Sequence, residues 1–205
     1  MTGRILLSLY VGDMIITSDD HDGIKSLKSE LAHSFVIKDL GMLCYFLGIK
    51  VAYSPKGYLL SQSKYIADLF ERARLTDNRI VDTPLETNAK YFMSDGTPLE
   101  DSCLYRIVVG SLIYLTITRP DIALVVHVVN QFVIAPTRVH WAVVLRILKY
   151  LRGTQFHSLM FPITSSLELR AYSNAEWAGD SINRKSTIRY CIFLGDSLIS
   201  RKSKK

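Results

Sequence analysis

Residues 9–17 read LYVGDMIIT and place a glycine and a single carboxylate between two apolar runs. A Gly-Asp pair between β-branched runs is typical of a two-residue hairpin turn, because glycine readily adopts the positive φ that such turns require. Residues 195–196 repeat Gly-Asp between the apolar runs of CIFLGDSLIS, where no chemistry is indicated. From these residues alone, the segment is either a plain tight turn or a turn that carries a metal ligand.

The composition is that of a folded globular protein. The chain has 205 residues, of which 48% are hydrophobic, enough for one large or two small domains. Residues 1–100 hold 11 Lys and Arg against 13 Asp and Glu, a net charge of −2, whereas residues 101–205 hold 14 against 6, a net charge of +8. The basic half indicates either a polyanionic partner such as nucleic acid or simply a basic solvated surface.

The cysteines and the apolar segments indicate in which cellular compartment the protein is expected. Cys44, Cys103 and Cys191 are odd in number and lack the spacing of a metal site. We therefore expect buried, reduced thiols and an intracellular protein, either cytoplasmic or nuclear. The most apolar region, residues 107–135, is interrupted by TRPDI, and neither half of it reaches membrane-spanning length. We expect no membrane association.

The hydrophobic pattern predicts an α+β fold. A hairpin over residues 5–17 precedes a helix whose apolar residues recur from 24 to 35, with an aspartate at 20 or 22 as N-cap. A second hairpin turns at residues 55–57, and a short helix covers 63–74. After an irregular linker at 76–102, helices at 103–118, 120–133 and 137–152 precede three strands of an antiparallel sheet.

The helix predicted at 137–152 carries a basic stripe. Its cations fall within about 120° of one another at 100° per residue, and they are Arg138, Arg146, Lys149 and Arg152. Such a stripe is either a solvated helix face or a surface that contacts the phosphates of nucleic acid.

Several longer stretches of the sequence match one known protein family in the same order. They include LYVGDMIITSDD (9–20), FVIKDLGMLCYFLGIKV (35–51), GYLLSQSKYIADLF (57–70), YRIVVGSLIYLTITRPDIALVVHVVNQF (105–132), HWAVVLRILKYLRGT (140–154), AYSNAEWAGD (171–180) and RKSTIRYCIFLG (184–195). Together they closely resemble the Pol polyprotein of copia-type LTR retrotransposons, from Ile5 to Lys204 without a break.

The resemblance implies an architecture and a parent activity. It implies a reverse transcriptase palm remnant with a thumb-like region at 1–90, a linker and helical connection at 91–155, and a truncated ribonuclease H-like region with an incomplete antiparallel sheet at 156–205. The parent activity is RNA-directed DNA synthesis with ribonuclease H, which uses magnesium. The fingers and the earlier palm strand would then lie before Met1.

The chain departs from the family at the positions of two metal ligands. The family motif is Tyr-Val-Asp-Asp, whose carboxylates help to hold two magnesium ions; here Gly12 replaces the first aspartate and only Asp13 remains. Asn174 stands where the ribonuclease H part carries its first aspartate, and an amide lacks the charge that a divalent cation needs. We therefore expect Asp13 to be a weak, vestigial ligand and no magnesium to be bound productively.

Other matched positions have structural alternatives. Leu47 and Gly48 fall where reverse transcriptases grip the primer, or they belong to a plain hairpin. Arg119 is expected to bond a neighbouring carboxylate or carbonyl at a helix start. Trp141 and Trp177 are expected to be core aromatics.

Three functional hypotheses follow. The first is a catalytically inactive fragment of a copia-type reverse transcriptase. The second is a residual nucleic-acid-binding module that uses the basic helix on an RNA–DNA hybrid or duplex, and the third is a decayed reading frame without function. The cue for the third hypothesis is an interrupted architecture that leaves hydrophobic sheet edges near residues 5–17 and 188–201; the alternative is a protein partner that covers these edges.

Overall fold

The computed structural model describes residues 4–86, 91–176 and 186–204. The chain forms two compact units, Met1–Leu47 and Gly48–Lys205. The described residues contain five α-helices and antiparallel sheets, so the predicted α+β class is confirmed. The division into palm, connection and ribonuclease H-like parts stays a prediction.

The first unit is built around a hairpin. Strands β1 (Ile5–Tyr10) and β2 (Asp13–Ser18) pair antiparallel, with Tyr10 opposite Asp13. The loop is therefore Val11–Gly12, one residue earlier than the turn predicted at Gly12–Asp13. The positive φ also falls on Val11, at 53°, and not on Gly12. The glycine was expected to supply this conformation, and a β-branched residue supplies it instead at some cost in strain.

Helix α1 (His21–Ser34) follows the hairpin. Asp20 is its N-cap and accepts a hydrogen bond from the Gly23 N–H at 2.8 Å. The sequence predicts Asp20 or Asp22 at this position, and the first alternative is confirmed. None of the described residues from 4 to 47 is buried, and the unit ends at the two-residue strand β3 (Tyr45–Phe46).

The second unit opens with the second predicted hairpin. Strands β4 (Ile49–Ser54) and β5 (Gly57–Ser61) pair antiparallel around the predicted turn, and Gly57 has φ 144°. Strand β6 (Leu159–Pro162), which the sequence analysis missed, pairs with β5. Helix α2 (Ser63–Arg72) follows β5 directly.

Four helices enclose the core of the second unit. After α2 come α3 (Ser102–Leu115), a 3₁₀ turn (Pro120–Ile122) continuing into α4 (Ala123–Asn130), and α5 (Arg138–Gly153), close to the three predicted helices. Their fully buried residues include Ile66, Leu69, Tyr105, Leu112, Ile122, Ile147, Leu148 and Leu151. Burial of these side chains is the main stabilising term of this unit.

The last three strands form a separate antiparallel sheet. Strands β7 (Leu169–Glu176), β8 (Thr187–Leu194) and β9 (Ser197–Lys204) lie in that order. The predicted turn at Gly195–Asp196 joins β8 to β9, and Gly195 has φ 57°. The three strands predicted after residue 153 are confirmed.

Two expectations about the surface had different outcomes. Cys44 and Cys103 are exposed and Cys191 is half-buried, so the prediction of buried thiols was wrong. Cys103 lies on α3 and Cys191 on β8, whereas Cys44 lies in the irregular segment before β3. In the part of the chain that the structure describes, no helix combines the length and apolarity needed to cross a membrane.

Candidate functional site

The β1–β2 hairpin presents its loop to solvent. Asp13 is the first residue of β2 and is exposed, and Val11 is 92% exposed. A Cβ built on Gly12 would have no other atom within 4 Å. The loop therefore has room for a side chain at position 12, and the absence of a carboxylate there follows from the sequence and not from crowding.

The residues present at this hairpin do not fit a magnesium centre. Magnesium is a hard cation that requires an octahedral set of oxygen ligands, usually including more than one carboxylate where it is held for phosphoryl transfer. Among residues 9–17 the one carboxylate is that of Asp13, the first residue of β2. Across residues 4–86, 91–176 and 186–204, no three His, Cys, Asp or Glu side chains lie close enough to hold a metal ion.

Asn174 lies in a cationic setting. It is exposed on β7 and directly opposite Arg189 on β8, which in turn lies opposite Ser203 on β9. Residues paired directly across antiparallel strands share one face of the sheet. Arg201 lies on the same face, two positions from Ser203. A face that carries two arginines beside an uncharged amide suits an anion better than a divalent cation.

Leu47 and Gly48 form the turn between β3 and β4. Both have positive φ, 49° and 77°, as a tight hairpin turn with a left-handed pair requires. A Cβ on Gly48 would lie 3.6 Å from the hydroxyl of Tyr114, which is ordinary van der Waals contact. The turn geometry agrees with the hairpin interpretation, and the primer-gripping role stays a prediction.

The basic stripe of α5 is contacted by the irregular segment that precedes α3. Arg146 donates to Glu86 at 3.1 Å and to Thr83 at 3.0 Å, and Arg138 donates to Glu100 at 2.6 Å. These bonds hold the predicted linker against the helix. The described residues of this segment form no helix or strand, as predicted. The segment nevertheless packs against α5 through these hydrogen bonds.

The C-terminal half of the stripe is paired in the same way. Lys149 lies 2.8 Å from the carboxylate of Asp77, and Arg152 donates to the backbone oxygen of Asp77 at 2.9 Å and to Asn78. The hydrogen bond from Lys149, followed by that from the Arg79 backbone N–H, holds the pKa of Asp77 well below its ordinary value. Each of the four cations therefore has a polar partner from residues 75–100.

Arg119 is a buried cation whose guanidinium has several hydrogen-bond partners. It is 2% exposed, and its guanidinium makes a bidentate pair with Asp121 at 3.0 and 2.6 Å. It also donates to the backbone oxygen of Thr154 at 2.8 Å, and Tyr150 donates to Asp121 at 2.8 Å. The predicted bond from Arg119 to a neighbouring carboxylate is confirmed, and it joins the start of α4 to the end of α5.

These contacts determine the charge state of Asp121. Burial opposes its ionisation, but the hydrogen bonds and the charge of Arg119 outweigh burial and lower the pKa of the carboxyl. The pair and its bonds to Thr154 and Tyr150 connect the start of α4 to the end of α5.

The two tryptophans had separate outcomes. Trp141 is half-buried against the core, with its ring 6.3 Å from that of Tyr105, so its prediction as a core aromatic is confirmed. Trp177 lies outside the described residues.

The sequence reasoning missed the partners of the basic stripe. Asp77, Thr83 and Glu86 lie in a segment without periodicity, so nothing predicted where it would pack. The available signal was the −2 charge of the first half of the chain against the +8 of the second.

Comparisons with known proteins agree with the resemblance. Residues 1–87 match the reverse transcriptase (RNA-dependent DNA polymerase) family. The chain is 40% identical over 201 residues to the retrovirus-related Pol polyprotein from transposon RE2 of Arabidopsis thaliana, an alignment that covers 98% of this chain and 14% of that protein. It is 39% identical to the Pol polyprotein from transposon TNT 1-94 of Nicotiana tabacum, covering 98% and 16% of the two chains.

The chain belongs to the copia-type retrotransposon Pol family. A third relative, an uncharacterized mitochondrial protein of Arabidopsis thaliana, is 37% identical, and the match covers 97% of this chain and 82% of that protein. No solved structure matches the chain.

Membership of the copia-type Pol family sets the general context. The chain contains a reverse transcriptase-like domain, and reverse transcriptases in general use Mg²⁺ and bind nucleic acid. The chain spans 14% of the length of the first two Pol polyproteins that it matches, so their complete activity does not transfer to it directly.

Proposed function

We propose that this chain is a copia-type reverse transcriptase segment that does not carry out DNA synthesis. In this proposal residues 1–90 are a palm remnant and thumb-like region, 91–155 a linker and helical connection, and 156–205 a truncated ribonuclease H-like region. The observation that carries it is the hairpin loop Val11–Gly12, where the family's first carboxylate is replaced by a hydrogen atom.

The physical argument concerns charge at the reacting phosphates. Two metal ions held by carboxylates stabilise the attacking and leaving oxygens of phosphoryl transfer. With Gly12 in the loop, Asp13 offers one negative charge where the motif has two. Loss of one preorganised electrostatic group commonly costs roughly 3–4 kcal/mol of transition-state stabilisation, and a metal ion lost with it adds to that figure.

The second replaced aspartate supports the same conclusion for nuclease chemistry. Asn174 keeps one oxygen acceptor and has no charge, and it pairs across the sheet with Arg189. The positive charge of an adjacent arginine opposes a divalent cation at this position.

Primer extension by the full chain tests the proposal. With a primed RNA template, deoxynucleotides and Mg²⁺, we expect no extension above a no-enzyme control. Magnesium-dependent extension that disappears in Asp13→Ala would overturn the proposal. Asp196→Ala is the matched control, because Asp196 follows Gly195 in the turn between β8 and β9 and lies outside the motif.

A second candidate function is favoured by the +8 charge of residues 101–205. A residual nucleic-acid-binding module would contact backbone phosphates through its cations, without reading sequence. Arg138, Arg146, Lys149 and Arg152 are the predicted contacts, and phosphates would have to compete there with Asp77, Glu86 and Glu100. Binding of an RNA–DNA hybrid that weakens steeply with salt supports this function, and binding indifferent to salt opposes it.

A further inference from the structure

The side chain of His140 joins the start of α5 to the irregular segment that precedes α3. His140 lies in the first turn of the helix and is 1% exposed. Its Nδ1 lies 3.1 Å from the backbone nitrogen of Thr137, and its Nε2 lies 3.0 Å from the backbone oxygen of Phe92. The imidazole therefore connects the backbones of two segments that lie far apart along the chain.

The two backbone partners determine which ring nitrogen carries the proton. A backbone N–H can only donate a hydrogen bond, and a carbonyl oxygen can only accept one. The Thr137 N–H therefore requires an unprotonated Nδ1, and the Phe92 oxygen requires an N–H at Nε2. Both bonds form together only when the imidazole of His140 is neutral and carries its proton on Nε2.

The neutral ring also completes the N-terminal cap of α5. The Thr137 hydroxyl accepts from the His140 backbone N–H, and the His140 ring accepts from the Thr137 backbone N–H, so the two residues form a capping box. An imidazolium has an N–H at both nitrogens, so its Nδ1 can no longer accept. The Thr137 hydroxyl, 3.0 Å from Nδ1, can rotate to accept from it, but the backbone N–H of Thr137 then loses its partner.

Residues 92–99 contact the start of α5 through a short stretch of backbone. The Leu99 N–H donates to the Pro136 oxygen at 3.0 Å, and the Arg138 N–H donates to the Thr97 oxygen at 2.9 Å. The 92–99 segment contains no helix or strand of its own. Segments of this kind open locally at a lower free-energy cost than the buried core.

Burial and the neighbouring groups act on the ring in opposite directions. Burial lowers the pKa of His140 below its ordinary value of 6.5, and it outweighs the hydrogen bond to Phe92 and the charge of Asp95, which raise it. Phe132 stacks on the ring with 3.8 Å between centroids, and an aromatic face favours a cation. Phe132 follows α4, whose titratable residue is His127.

The other charged and titratable groups around this junction have partners elsewhere. On α5, Arg138 donates to Glu100 at 2.6 Å. On α3, Arg106 donates to a backbone oxygen beyond α4 at 3.2 Å, and Tyr105 donates to a backbone oxygen of α4 at 2.8 Å. Asp95 accepts a backbone N–H of its own segment at 2.6 Å. Among the described residues, none of these side chains is hydrogen-bonded to the imidazole.

We propose that His140 is a pH-sensitive latch that holds the 92–99 segment on α5. While the imidazole is neutral, it binds the Phe92 backbone to the first turn of the helix and caps that turn. Protonation of Nδ1 removes the acceptor of the Thr137 N–H, opens the cap and releases the segment. This role is separate from nucleic-acid binding and from the inactive hairpin.

The direction of the pH dependence follows from the buried neutral ring. A group whose pKa is lowered by folding contributes stability that is complete above its ordinary value, which is 6.5 for this histidine. That contribution is lost as pH falls through the lowered value of the folded state. The latch is therefore closed at neutral pH and opens on acidification.

Hydrogen exchange on the full chain, read by NMR, tests the proposal. Protection factors of the Leu99 and Arg138 amides are measured at about pH 7.5 and about pH 5 in wild type, His140→Gln and His157→Gln. A glutamine at the third helical position can close a capping box and does not titrate. His157 is an exposed histidine outside the latch, so its replacement is the matched control.

The three proteins should respond differently to acid. In wild type and His157→Gln we expect both protection factors to fall at the lower pH by up to about 30-fold, the ratio of charged to neutral imidazole there for a group with the ordinary pKa. In His140→Gln they should change little. An equal fall in His140→Gln, or no fall in wild type, would overturn the latch.

The ring itself provides an independent measurement. Nitrogen NMR chemical shifts distinguish a protonated from an unprotonated ring nitrogen. We expect His140 to carry its proton on Nε2 at neutral pH, and the protection of Leu99 to be lost as Nδ1 titrates. If His140→Gln does not fold, this titration of wild type decides. A proton on Nδ1 at neutral pH, or a protonated ring with Leu99 and Arg138 still protected, would overturn the proposal.

Discussion

The ammonium of Lys149 lies 2.8 Å from the carboxylate of Asp77, and this pair joins a regular helix to an irregular segment. Both side chains are partly shielded, with 23% and 31% of their surfaces exposed. Arg79 shares the same carboxylate at 3.1 Å, so Asp77 collects two cations. The most basic helix of the chain therefore has its charge partly balanced by a neighbour in the fold.

Replacing Asp77 with Asn tests this arrangement. The amide keeps the shape but loses the charge, so we expect faster amide hydrogen exchange in residues 75–86 and little change in α2. We also expect tighter salt-dependent binding of an RNA–DNA hybrid, because Lys149 is released. Asp68→Asn, on α2, is the matched control. Unchanged exchange in both variants would contradict the role given to Asp77.

The same carboxyl predicts a pH dependence. The pKa of Asp77 is lowered in the fold from an ordinary value of 3.8. The group therefore binds a proton less readily when folded, and its stabilising contribution is complete above about pH 4 and is lost as pH falls through the lowered folded value. The protection factors of the amides in residues 75–86, which correct for the intrinsic pH dependence of exchange, should fall below about pH 4 in wild type. In Asp77→Asn this acid-dependent step should be absent.

Arg119 should be a strong determinant of stability. Arg119→Leu removes the bidentate pair with Asp121 and the bond to Thr154, and it leaves a partly buried carboxylate without its cation. Breaking a buried pair in this way costs about 3 kcal/mol or more. Urea unfolding should show this loss, and the pKa of Asp121 should rise.

Arg79→Leu is the matched control for that measurement. It breaks another Arg–Asp pair two residues apart, but Arg79 is 83% exposed. Exposed ion pairs contribute little to stability. A loss in Arg79→Leu as large as that in Arg119→Leu would refute the assignment of Arg119 as the buried link between α4 and α5.

Position 12 should accept the missing carboxylate without loss of fold. Gly12 does not have a positive φ, and a Cβ there meets no neighbour. We expect the free energy of unfolding of Gly12→Asp to lie within about 1 kcal/mol of the wild-type value, because surface substitutions usually change stability little. The control is Gly57→Asp, whose Cβ would lie 2.0 Å from the Phe161 oxygen and should destabilise the sheet strongly. Equal destabilisation by both substitutions would show that the loop geometry is wrong.

Much of the fold followed from local sequence signals. Asp20, the Gly195–Asp196 turn and the apolar periodicity of α3 and α5 each act over a few residues, so the sequence alone predicts them. Strand β6 was missed because four residues carry too little periodicity and its partner β5 lies about 100 positions earlier. Local patterns do not encode such pairings.

The candidate site was predictable only in part. Gly12 and Asn174 stand out by comparison with a motif, whereas the partners of α5 depend on how distant segments pack. The Val11 turn was misplaced by one residue because Gly12 was the better candidate for positive φ by propensity. The strand register pairs Tyr10 with Asp13, and this pairing outweighs the preference of glycine for positive φ at the turn.

The most direct test of the inactive hairpin is a crystallographic soak with Mn²⁺ and nucleotide, read by anomalous scattering. We predict no ordered metal ion within coordination distance of Asp13, because position 12 supplies no second carboxylate. Two ordered manganese ions at this hairpin would contradict the account.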